Sequence, residues 1–135
     1  MAKTQAVIHV GRRKEAVARV ILTPVSGGNA MEILINGKPF ETYFANGIHR
    51  EDVVRPLKSV GQYGSYSVRA NVDGGGTSGQ AGAVRLGIAR ALVTINDEFR
   101  TVLRKDDLMT RDPRMVERKK YGRPKARKKF QFSKR

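Results

Sequence analysis

The chain has 135 residues, 27 of them Lys or Arg against 12 Asp or Glu, for a formal net charge of +15. It has no Cys, which excludes a disulfide framework, a thiolate zinc site and a cysteine nucleophile. One domain, at about 100–200 residues each, with an appendage at most, is expected, and so much positive charge implies a polyanionic partner such as nucleic acid.

Other classes fall away on the same reading. The two histidines, His9 and His49, stand far apart and suggest neither zinc nor haem. No apolar run approaches the roughly 20 residues that span a bilayer. The opening residues, Met1-Ala2-Lys3-Thr4-Gln5-Ala6, lack the apolar core of a secretory signal, so a soluble cytoplasmic protein is expected.

The predicted elements begin with strands. Ala6 to Val10 is a short apolar-rich run, and Gly11-Arg12-Arg13-Lys14 reads as a basic turn. Ala16, Ala18, Val20 and Leu22 then share one side of a period-two pattern, and Pro24 ends that strand. Ser26-Gly27-Gly28-Asn29 reads as a hairpin loop. Met31 to Ile35 is a third strand, closed by the turn signal Asn36-Gly37. The three strands read as an antiparallel meander.

A helical stretch follows. Pro39 suits the start of a short helix carrying Phe40, Tyr43 and Phe44. Val53, Val54, Leu57 and Val60 recur at helical spacing, but Pro56 among them predicts a kink or two short helices. Ser65 to Val72 alternates as a fourth strand. Tyr66, Val68, Ala70 and Val72 lie on one face, with Ser65, Ser67, Arg69 and Asn71 on the other.

The longest helix comes next. Thr77 with Gln80 fits a capping box, although Ser78 could cap instead. Val84, Ile88, Leu92, Ile95 and Phe99 form its core stripe. Asn96-Asp97 would cap a further turn with Val102 and Leu103. Residues 111–135 then hold 12 Lys and Arg against Asp112 and Glu117, so 10 of the 15 net charges lie in the last 25 residues. Their sizeable apolar groups, Met115, Val116, Tyr121, Phe130 and Phe132, follow no period. The expectation is a globular body over 1–110 and an extended basic tail over 111–135 that orders only on a partner.

Several motifs suit phosphate. Gly74-Gly75-Gly76-Thr77-Ser78-Gly79 joins a strand to a helix, where free N–H groups attract anions. A free-nucleotide pocket is disfavoured, because Gln80 stands where a P-loop needs Lys. A tight turn that also touches nucleic-acid phosphate fits better, beside a purely structural turn. Gly79, Ala83 and Gly87 make a small helix face that either the sheet or an RNA strand could approach. Arg85 and Arg90 flank the stripe and could reach phosphate. Arg12, Arg13 and Lys14, with Arg19 on the next strand, read as a phosphate-contact loop. In the tail, the cations Arg118, Lys119, Lys120, Arg123, Lys125, Arg127, Lys128 and Lys129 are punctuated by aromatic residues that can stack on unpaired bases. The acids form no credible catalytic site. Asp106-Asp107 with Asp112 match no magnesium motif, and Ser, His and Asp are not arranged as a triad. No cofactor and no enzyme activity is expected.

Three sets of blocks together resemble a known family. They are Gly11-Arg12-Arg13-Lys14 with Ala18-Arg19-Val20; Gly74-Gly75-Gly76 with Ser78-Gly79-Gln80-Ala81; and Arg85-Leu86-Gly87-Ile88-Ala89-Arg90-Ala91-Leu92. With Thr110-Arg111-Asp112, Val116-Glu117-Arg118-Lys119-Lys120-Tyr121-Gly122 and Ser133-Lys134-Arg135, they resemble the S-nine family of small-subunit ribosomal proteins, in its bacterial or organellar branch. The resemblance implies a two-layer α/β (α+β) body of the ribosomal S-five second-domain type. Its four-stranded sheet would carry helices and a left-handed βαβ crossover, an exception to the usual hand. It implies binding to small-subunit rRNA in the subunit head, beside neighbouring ribosomal proteins, and a tail that threads toward peptidyl-site tRNA. Carried over residue by residue, rRNA contacts fall on Arg12, Arg13, Lys14, Arg19, Gly75, Gly76, Ser78, Gln80, Arg85, Arg90, Arg111, Arg114, Tyr121 and the tail cations above. The tRNA contacts fall on Ser133, Lys134 and Arg135. One departure is Phe130-Gln131-Phe132, where relatives often carry Pro and Tyr. The alternative reading is a free-standing RNA-binding factor or RNA chaperone.

Overall fold

The computed structural model describes residues 7–25, 32–111, 113, 114 and 121. The predicted loop at Ser26–Asn29, Met31, and the tail beyond Arg114 apart from Tyr121 lie outside the described residues. The elements in chain order are β1 (His9–Arg13), β2 (Ala16–Pro24), β3 (Ile33–Ile35), β4 (Lys38–Pro39), α1 (Phe40–Tyr43), α2 (Gly47–Ser59), β5 (Tyr66–Asp73), α3 (Thr77–Ile95) and α4 (Phe99–Lys105).

The strands form one open sheet in the order β1-β2-β5-β3-β4, so five strands stand among the described residues where four were expected. The added one, β4, is a two-residue edge that follows the Asn36-Gly37 turn and pairs with β3. The expected meander is also corrected. β5, not β3, lies beside β2, in eight antiparallel register pairs from Val17↔Asp73 to Pro24↔Tyr66. Length decides this. β3 has three residues and cannot match the ladder that the eight residues of β5 offer to β2. β3 instead runs parallel to β5, and the β3–α1–α2–β5 connection is the crossover that a parallel pair requires.

Helices cover one face of this sheet. The alternation in β2 and β5 buries Ala16, Ala18, Val20, Val68, Ala70 and Val72 toward them. α3 is buried nearly all round, because it contacts β1, β2 and β5 on one side and α2 on another. Helices hydrophobic on every side belong in such a central position. Val84, Ile88 and Leu92 are fully buried, as the stripe predicts. Ile95 is not: it is about half exposed at the end of α3, and the half-buried Phe99 begins α4.

α2 runs unbroken through Pro56, against the predicted kink or break. Val53, Val54, Pro56 and Leu57 are all buried, and only a continuous helix buries them together. That burial outweighs the hydrogen bond that proline removes. Tertiary contacts also override the predicted capping box. Gly76 is the N-cap of α3, with no side-chain cap, and Thr77 is already inside the helix. Asn96 does hold the start of the next turn, since its Oδ1 accepts from the Glu98 amide (3.1 Å). No helix among the described residues is long and apolar enough to cross a membrane.

Candidate nucleic-acid interface

The basic segment near the N-terminus is a strand end rather than a turn. Gly11, Arg12 and Arg13 belong to β1, and the turn is Lys14-Glu15, with Lys14 at φ +53°. Strand alternation then splits the cluster. Gly11 faces α3, and a Cβ there would overlap the Ala83 carbonyl oxygen and the Gly87 amide nitrogen. Arg13, on the same side, lays its side chain across Gly82. Arg12 points the other way, onto the helix-free face.

The small face of α3 is taken by the sheet. A Cβ on Gly79 would lie 3.4 Å from the Arg13 carbonyl oxygen, and one on Gly87 would press Val20 at 2.6 Å. Of the two neighbours considered for Gly79, Ala83 and Gly87, the backbone of β1 and the side chains of β2 fill the space.

The glycine loop packs on the same hairpin. Gly74 and Gly75 take φ of +71° and +63°, and a Cβ on Gly74 would meet the Glu15 carbonyl oxygen at 2.7 Å. Gly76 alone faces open space. Behind the loop, Gln80 is engaged at both ends. Its Nε2 donates to the Gly74 carbonyl (3.1 Å), and its Oε1 accepts from the Tyr43 hydroxyl (2.6 Å). Gln80 therefore braces the loop. Ser78 stands in the first turn of α3, where no acidic side chain opposes an anion.

Other expected contacts are also drawn inward. Arg85 pairs with Asp52 at 3.7 Å, joining α3 to α2. Arg90 Nη1 donates to the Val10 carbonyl (2.7 Å) and covers part of the edge strand β1. Arg111 Nη2 donates to the Lys14 carbonyl (3.3 Å), which ties the start of the predicted tail to the hairpin turn. Arg111 and Arg114 share a groove of about 450 Å³ with Arg55, Arg85, Asp106 and Asp107. Tyr121 is fully exposed. Arg118, Lys119, Lys120, Arg123, Lys125, Arg127, Lys128, Lys129, Ser133, Lys134 and Arg135 lie outside the described residues.

The helix-free face presents a second basic surface. Arg12, Val17, Arg19, Asn36, Asn71 and Asp73 line a shallow groove of about 670 Å³. Arg69 stands on the same face and is exposed. Arg12, Arg19 and Arg69 have no hydrogen-bond or ion-pair partner among the described residues. Arg69 and Arg55 were not expected as site residues. The alternation of Ser65, Ser67, Arg69 and Asn71 was the available signal for Arg69; nothing in the sequence brought Arg55 to the groove.

Neither histidine forms a reactive cluster. His9 Nε2 bonds Thr94 Oγ1 at 3.0 Å, and His49 packs edge-on to the Phe44 ring. No group of three or more metal-ligating side chains occurs among the described residues.

The chain is similar to known proteins over nearly its whole length. Residues 11–135 match the family described as ribosomal protein S9/S16. The chain is 58% identical over 131 residues to the small ribosomal subunit protein uS9 of Anaeromyxobacter sp. (strain K), covering 97% of this chain and 98% of the relative. It is 56% identical over 126 residues to the protein of that name from Cytophaga hutchinsonii, covering 93% and 95%. The Chlorobaculum tepidum protein of the same name is 52% identical over 126 residues, with the same coverage. These are ribosomal proteins and not enzymes, and the chain belongs to the ribosomal protein S9/S16 family.

Proposed function

We propose that this chain is a structural constituent of the small ribosomal subunit that holds rRNA in the subunit head. The observation that carries the reading is the likeness to uS9 proteins over 97% of the chain, basic C-terminal segment included. The charge supports it, since a net +15 on 135 residues repels itself unless phosphate neutralises it.

The division of labour follows the charge. Residues 1–110 anchor and residues 111–135 penetrate the RNA. On the body, Arg12, Lys14 and Arg19 contact phosphate, with Gly75, Gly76 and Ser78 close behind. Arg13, Gln80 and Arg90 hold the hairpin, the glycine loop and β1 in place, and Arg85 ties α3 to α2. Arg111 and Arg114 guide the tail out, and Arg118, Lys119, Lys120, Tyr121, Arg123, Lys125, Arg127, Lys128 and Lys129 line its path. Ser133, Lys134 and Arg135 reach the peptidyl-site tRNA. Most of these contacts position the RNA and do not read its sequence, because phosphates carry no base information.

Salt dependence of binding tests this. Residues 115–135 carry ten Lys and Arg. Deleting them lowers the slope of log affinity against log salt for head-domain rRNA by several units, at about 0.7–0.9 per phosphate. An unchanged slope means that the tail does not touch RNA. Sedimentation separates the two readings: this chain is expected to stay with small subunits stoichiometrically in high salt, and a free-standing RNA-binding factor would be lost.

A further inference from the structure

Two sets of arginines near the sheet behave differently. Arg85, Arg90 and Arg111 direct donors to Asp52, Val10 and Lys14 within the chain. Arg12, Arg19 and Arg69 have no such partner among the described residues. The register shows how these three are arranged. Arg12 of β1 stands opposite Val17, Arg19 follows two residues along β2, and Arg69 of β5 stands opposite Ile21, two residues further. They therefore form a diagonal across three adjacent strands. Diagonal neighbours on antiparallel strands lie about 7–8 Å apart. Long guanidinium side chains at that interval can hold successive phosphates of one strand, each through a planar fork of donors.

The surroundings fit a backbone track better than a base-stacking platform. The described residues of this face include no aromatic ring beside the diagonal. Its neighbours are the half-buried Val17, Ile21 and Leu34 and the amide side chain of Asn71, which stands opposite Arg19. Glu32, just before β3, bounds the row beyond Arg69, and Asp73 flanks the other end. Neither pairs with these arginines among the described residues.

We infer that the helix-free sheet face is a phosphate track, in which Arg12, Arg19 and Arg69 grip one stretch of RNA backbone. The inference rests on the rRNA reading above and adds to it a specific face and Arg69. It differs from the contact loop read in the sequence, because Arg13 of that loop faces α3 instead.

The test compares two charge-matched triple variants of the full chain on a transcribed head-domain rRNA. One is Arg12→Gln, Arg19→Gln, Arg69→Gln. The control is Arg100→Gln, Arg104→Gln, Lys105→Gln on α4. The open-face triple lowers the salt slope by about two to three units, at about 0.7–0.9 per phosphate, and the α4 triple leaves it unchanged. Lysine at the same three positions retains the slope. Equal losses from both triples would reduce the effect to net charge and overturn the track. An unaltered slope in the open-face triple, with wild-type binding strong, would overturn the track while the rRNA reading stands. If that triple also drops out of reconstituted subunits, the face meets a neighbouring protein instead. A wild-type chain with no salt-dependent binding would remove the rRNA reading itself.

Discussion

Gly11 of β1 lies flat against Ala83 of α3: a side chain at Gly11 would land on the Ala83 carbonyl oxygen. This contact lets the edge strand and the central helix share one layer boundary, and it sends Arg12 to the opposite face. It also separates glycines that packing requires from glycines that it tolerates. The obstacle at Gly11 is backbone on both sides, which cannot move aside without shifting α3. Gly11→Ala therefore destabilises the fold by about 3 kcal/mol, at the upper end of overpacking costs. At Gly82 the obstacle is the Arg13 side chain, with its Cδ nearest, and no backbone. Gly82→Ala changes stability by less than about 1 kcal/mol, since better helix propensity offsets the displaced side chain. Urea denaturation of the two variants checks the contrast, and equal losses would refute it.

Asn36 acts as a substitute strand partner. Its amide N–H bonds the Ala70 carbonyl, its Oδ1 accepts from the Val72 amide (2.8 Å), and its Nδ2 donates to the Val72 carbonyl (3.1 Å). The side chain thus continues the β3–β5 ladder after the backbone has turned away to β4. Asn36 also sits at φ +53°, which asparagine tolerates better than alanine. Asn36→Ala is expected to cost about 2 kcal/mol in chemical denaturation. Asn36→Gly, which relieves the backbone but still loses the side-chain bonds, falls between that variant and wild type.

The long, strongly periodic elements were legible in the sequence. β2, β5 and most of α3 stand where alternation and the i, i+4 stripe put them, because the strands each bury one continuous face and α3 buries its stripe in the core. The pairing of β3 was not legible. Three residues carry little register information, and the partner of β3 is decided by the longer β2–β5 ladder and the helices that cross over it. Pro56 and Thr77 misled for a related reason. Local rules would break α2 and cap α3 with a side chain, but burial of Leu57 and the bracing by Gln80 prevail. In the candidate site the cations could be read from the sequence and their directions could not. Arg13, Arg85 and Arg90 are cations beside the right elements, yet each finds a contact within the chain. Arg69 shows the converse, since only the sheet order reveals that it continues the row begun by Arg12 and Arg19.

The last residues permit a narrower test than deletion of the tail. Removing only Lys134 and Arg135 leaves ten Lys and Arg over residues 111–133. Subunits reconstituted with that variant assemble normally and retain peptidyl-site tRNA less well, as filter binding would show. Identical tRNA retention would withdraw the role of the tip and leave the rRNA role in place.

The proposed arrangement is a basic body anchored on rRNA with the C-terminal residues running through it. A density map of small subunits assembled with this chain tests it most directly. The expected density has residues 115–135 enclosed by rRNA, with Lys134 and Arg135 beside the peptidyl-site tRNA. Density for those residues leading away from the RNA into solvent would contradict it.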